Sequence, residues 1–212
     1  MIRIKFPLMK RSLVAILRGI RPDETAAIID GLVEAGFTAI EIPLNSPDPF
    51  RSIEIAVNRA PKDVLIGAGT VLTIEDVDRL NGVGGRLMVS PNVNRQVIAH
   101  AASQGMVTMP GVFTPTEALA ACAAGASALK FFPASVLGPS GINAIRAILP
   151  RDVPVGAVGG VSNEDFAAYA KVGVRTFGLG SSLYKAGMDA NEVARRGVAA
   201  IEAFDALAEV EL

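Results

Sequence analysis

Two ionisable residues stand inside otherwise apolar runs: Lys130 in Ala128-Leu129-Lys130-Phe131-Phe132-Pro133, and Glu41 in Ile40-Glu41-Ile42-Pro43. Lysine is among the side chains least often fully buried, because desolvating an ammonium costs several kcal/mol. A buried lysine escapes that cost by losing its proton, and a neutral amine is a nucleophile toward carbonyl carbon. A carboxyl group in similar surroundings can give and take protons as a general acid and base. The pair therefore suits Schiff-base chemistry, in which an iminium draws electrons from a neighbouring C–C bond while Glu41 shuttles protons. The flanking Phe131 and Phe132 are expected to keep the amine dry, with Phe132 flooring the substrate pocket. Two plainer readings compete: a lysine snorkelling from a strand edge, and a structural ion pair filling an interior.

Other chemistries are poorly supplied. His100 is the single histidine and sits in the helix-like stretch Arg95–Gly105, so no Ser-His-Asp arrangement and no metal-ligand cluster has the right spacing. No strand–GxGxxG–helix opening offers a dinucleotide site. No metal and no cofactor are expected. Cys122, the single cysteine, lies in an Ala-rich segment and reads as a small buried filler; it fits a reducing, cytoplasmic setting. The formal net charge of −1 favours neither nucleic acid nor an acidic membrane surface as a partner. Met1–Lys10 lacks the apolar region of a secretion signal, and no apolar run approaches the roughly 20 residues of a membrane span.

The elements that would position Lys130 and Glu41 follow a repeating grammar across the 212 residues. Short β-branched or apolar runs occur at Leu13–Leu17, Ala39–Pro43, Val64–Ala68, Arg86–Val89, Val107–Met109, Ala128–Phe131, Pro154–Val158 and Arg175–Leu179. Helix-period segments lie between them. Thr114-Pro115-Thr116-Glu117 carries an N-cap, a first-turn proline and a capping glutamate, and Thr73–Asp76 and Ser162–Asp165 are looser versions. Gly36, Gly105, Gly125 and Gly173 close helices just before strands. Strand–helix alternation implies parallel pairing through right-handed crossovers. A doubly wound open sheet satisfies it too, but eight units without a composition break favour a single (β/α)8 TIM barrel, an α/β fold, over residues 1–212. Met1–Ser12 is left over and would cap the barrel bottom.

Chemistry in such barrels lies at the C-terminal ends of the strands. There the chain places Arg18 after strand one, Glu41 on strand two, Thr70 after strand three and Lys130 on strand six. Strands seven and eight end in Val158-Gly159-Gly160 and Gly180-Ser181-Ser182. Glycine-rich turns in these two positions commonly bind phosphate through backbone N–H groups. Arg18 and Thr70 could hold a second anionic group, such as the carboxylate of a 2-oxo acid.

The stretches Ile40–Pro47, Gly67-Ala68-Gly69-Thr70-Val71 and Leu129–Ala134 resemble the class I 2-keto-3-deoxy-6-phosphogluconate/galactonate aldolases, with a likeness from Leu13 to about Phe204. The resemblance implies a homotrimeric (β/α)8 barrel that cleaves a phosphorylated 2-keto-3-deoxy sugar acid to pyruvate and glyceraldehyde 3-phosphate. It assigns Lys130 to the Schiff base, Glu41 to acid/base work, Arg18 and Thr70 to the pyruvyl carboxylate, and Gly159, Gly160 and Gly180–Ser182 to phosphate. Two departures from the gluconate type, Pro43-Leu44-Asn45 in place of an arginine and Val158 in place of a threonine, look like the galactonate-type branch. Alternatives are a gluconate-type or dual-epimer aldolase and, more remotely, a phosphosugar epimerase or isomerase.

Overall fold

The computed structural model describes residues 2–207; Met1 and residues 208–212 of the expected 1–212 domain lie outside the described residues. Eight parallel strands close in sequence order into a barrel, β1-β2-β3-β4-β5-β6-β7-β8. They are β1 (Leu13–Ile16), β2 (Ala39–Pro43), β3 (Leu65–Gly69), β4 (Leu87–Ser90), β5 (Val107–Val112), β6 (Leu129–Phe131), β7 (Val155–Val158) and β8 (Thr176–Leu179). A helix follows each: α1 (Pro22–Ala35), α2 (Pro49–Arg59), α3 (Ile74–Gly82), α4 (Arg95–Ser103), α5 (Pro115–Ala123), α6 (Ala134–Arg146), α7 (Phe166–Ala170) and α8 (Ala190–Asp205). This is the expected (β/α)8 barrel. No helix among the described residues is long and apolar enough to cross a membrane.

The helix starts form as their side chains dictate. Thr73 accepts from Asp76 N and Thr114 from Glu117 N, each with the reciprocal bond of a capping box, and Ser162 with Asp165 closes the same box. The strand bounds match the sequence reading to within one residue except in β5. β5 runs three residues further than Met109, through Pro110 and Gly111, because Gly111 pairs with Lys130 and Val112 with Phe131. Helix α6 is broken at Gly138 (φ 69°), just before Pro139.

Strand side chains alternate between two apolar layers. Leu13, Ala15, Ile40, Ile42, Leu129 and Phe131 join the layer shared with the helices. Val14, Ile16, Ala39, Leu87, Val89, Met109, Ala128 and Val158 pack together in the barrel interior. Ile4, Phe6 and Met9 pack against this inner cluster, so the leading segment does cap it. Alternation continued from Ala39 and Ala128 places Glu41 and Lys130 inward, above an apolar plug.

Candidate active site

Register brings the inward positions together. Ile16 pairs with Glu41, Glu41 with Gly67, and Lys130 with both Gly111 and Gly156. Glycines neighbour both ionisable residues in the register, and one more, at the end of β3, leaves the space that the Glu41 carboxyl occupies. This is Gly69, where a Cβ would overlap that carboxyl group.

Glu41 is 2% exposed and Lys130 5% exposed. Burial pushes the Glu41 carboxyl up to about 7, against the opposing pull of Lys130 and Arg18. Burial pushes the Lys130 amine down; Glu41 opposes this and the Arg18 charge adds to it. The Phe132 ring lies 4.8 Å from Lys130 Nζ. Such a contact favours the ammonium by ~0.5–2 kcal/mol, less than the several kcal/mol of desolvation that push the amine toward its neutral form. Phe131 faces the helices instead. The expectation that both phenylalanines dry the amine is thus corrected to Phe132 alone, because consecutive strand residues point to opposite faces. Glu41 Oε2 is buried with no hydrogen-bond partner among the described residues. Leaving such an atom unpaired costs ~1–3 kcal/mol, a penalty that a substrate hydroxyl would relieve.

A cavity of about 150 Å³ opens onto both groups. Arg18, Glu41, Lys130 and Phe132 line it, together with Val158, Gly159, Gly160, Gly180 and Ser181. Ile16, Val161 and Gly178 also line it; they were not anticipated, although the two-residue period points Ile16 and Gly178 inward. Thr70 and Ser182 are not among the lining residues. Thr70 is half-buried beyond the end of β3, at φ 57°, a left-handed conformation uncommon for a β-branched residue. The Ser182 hydroxyl donates to Val161 O at 3.0 Å, tying the loop after β8 to the loop after β7. Larger hollows of about 490 and 300 Å³ lie beside the α6–β7 and α2–β3 connections, at the opposite end of the barrel. Neither touches the buried ionisable pair.

The loop after β7 is shaped by backbone. Gly159 and Gly160 adopt φ 89° and 70°, where an L side chain is strained. A Cβ on Gly159 would press on the Phe132 ring, and one on Gly160 would overlap Ser135. Ser135 N donates to Gly159 O at 3.1 Å, which fixes the start of α6 against the end of β7. Among the described residues no three His, Cys, Asp or Glu side chains are grouped to hold a metal ion.

Residues 4–205 match the family described as KDPG and KHG aldolase. The chain belongs to that aldolase family. It is 67% identical over 205 residues to the probable 2-dehydro-3-deoxy-6-phosphogalactonate aldolase of Rhizobium meliloti, covering 97% of each chain. It is 47% identical over 195 residues to the 2-dehydro-3-deoxy-6-phosphogalactonate aldolase of Escherichia coli, covering 92% of this chain and 95% of that one. A solved structure described as native KDPGal superposes with a TM-score of 0.94 at 45% identity, covering 97% of this chain and 99% of that one. As a KDPG and KHG aldolase family member, the chain carries its nucleophile candidate and its proton-transfer candidate on the walls of one cavity.

Proposed function

We propose that this protein is a class I aldolase that cleaves 2-dehydro-3-deoxy-6-phosphogalactonate to pyruvate and glyceraldehyde 3-phosphate, without a metal or cofactor. The observation that carries the reading is the buried, desolvated Lys130 with Glu41 in one cavity that Gly159, Gly160 and Gly180 also line. The neutral Lys130 amine adds to the C2 carbonyl, and loss of water leaves an iminium. The Glu41 carboxylate takes the C4 hydroxyl proton as the C3–C4 bond breaks, and the bonding pair moves toward the iminium nitrogen. The aldehyde departs; protonation of the enamine at C3 and hydrolysis return pyruvate and the free amine.

Arg18 and Thr70, the residue just after β3, are assigned to the carboxylate. Gly159, Gly160, Gly180 and Ser181 are assigned to the phosphate. Ser182 holds the phosphate loop in shape through its bond to Val161 O. Val158 offers no hydroxyl to the C4 alcohol, in keeping with the galactonate epimer and with the names of the two similar enzymes. Initial rates on the two purified C4 epimers test the choice: galactonate preference is expected, and a clear gluconate preference contradicts it. We further propose a homotrimer acting in the cytoplasm. Exposed Leu72, Phe113, Leu119 and Val136, all on the segments that follow strand C-terminal ends, are the apolar surface that assembly would cover.

A further inference from the structure

The loops after β1 and β2 grip each other at two adjacent residues on each side. Arg18 Nη1 donates to Asn45 Oδ1 at 2.6 Å, and next to it Gly19 N donates to Ser46 Oγ at 2.9 Å. Ser46 is 7% exposed, and its own N–H bonds Pro43 O at 2.9 Å, so this acceptor rests on a closed turn directly after β2. Arg18 is different. Its long side chain is exposed although it lines the cavity, and among the described residues it enters no ion pair and bonds no side chain but Asn45. An unheld arginine samples many rotamers, so its location over the site depends on what tethers it.

We infer that Asn45, backed by Ser46, is a positioning residue that holds the Arg18 guanidinium over the cavity for the carboxylate of a 2-oxo acid. The inference rests on the proposed reading of Arg18 as the carboxylate contact. The residue type suits the task. An amide oxygen fixes one N–H of the guanidinium and leaves its charge and its other donors available to the substrate. An aspartate there would itself pair with Arg18 and compete with the incoming carboxylate. Pre-ordering removes a rotamer cost that each binding event would otherwise meet, so the effect falls on substrate affinity rather than on bond making.

A double-mutant cycle tests this, with pyruvate as the probe and borohydride trapping of its Lys130 adduct as the readout. Asn45 is exposed, so Asn45→Ala is expected to fold and melt as the parent does. It is expected to raise the half-saturating pyruvate concentration about 10-fold while changing the limiting trapping rate by less than about 2-fold. Arg18→Ala is expected to raise it further, and Asn45→Ala added to Arg18→Ala is expected to do nothing more. Losses that multiply in the double variant overturn the inference, because Asn45 would then act independently of Arg18. An unchanged half-saturation in Asn45→Ala alone also overturns it while leaving the carboxylate role of Arg18 intact. An unchanged half-saturation in Arg18→Ala removes that role, and the positioning role with it.

Discussion

At the scale of single residues the account turns on two groups held away from their ordinary ionisation. The Glu41 carboxyl is pushed by burial from 4.5 to about 7, so its base form is depleted below neutrality. The aldolase rate is therefore expected to fall on the acid side of about pH 7, and Glu41→Gln to lower turnover on the order of 10²-fold and abolish that limb. The same shift has a stability consequence. Between pH 4.5 and about 7 the unfolded carboxyl ionises while the folded one keeps its proton, so the parent loses stability as pH rises through this window. Glutamine has no such dependence. Glu41→Gln should gain on the parent by up to ~3 kcal/mol from pH 4 to pH 8, measured by urea unfolding at each pH. A pH-independent difference between the two proteins would contradict the buried, raised carboxyl.

At the scale of elements, what could be read in advance followed from short-range physics. The capping boxes at Thr73, Thr114 and Ser162 depend on residues three apart, and they form as read. The left-handed closures at Gly36, Gly105, Gly125 and Gly173 are equally local. What could not be read depends on partners distant in sequence. Pro110 and Gly111 look like the end of a strand, but pairing with β6 carries β5 through them. Gly69 falls just past the expected strand Val64–Ala68, yet its decisive property is that its missing side chain makes room for Glu41, a residue 28 positions earlier. Gly69→Ala is accordingly expected to displace the carboxyl group and lower turnover by at least about 10-fold, with a stability loss of ~1–3 kcal/mol. Parent-like turnover in that variant would show that Glu41 is not confined by this contact.

At the scale of the molecule, closure of eight short units makes a two-residue period consequential: it sends Glu41 and Lys130 into one interior from strands four positions apart. The Lys130–Glu41 pair was legible as two charges in apolar strands, and the loops proposed for phosphate as glycines at the ends of strands seven and eight. The grip of Asn45 on Arg18 was not, since neither residue type signals the other across 27 positions. The exposed apolar residues beyond the strand ends belong to this scale too; sedimentation equilibrium is expected to give three times the chain mass, and a monomer mass contradicts the proposed trimer. The central claim concerns a single covalent bond. Incubation with pyruvate and borohydride, followed by peptide mass mapping, is expected to place the reduced adduct on Lys130. An unmodified Lys130, or an adduct confined to another lysine, would contradict the Schiff-base account.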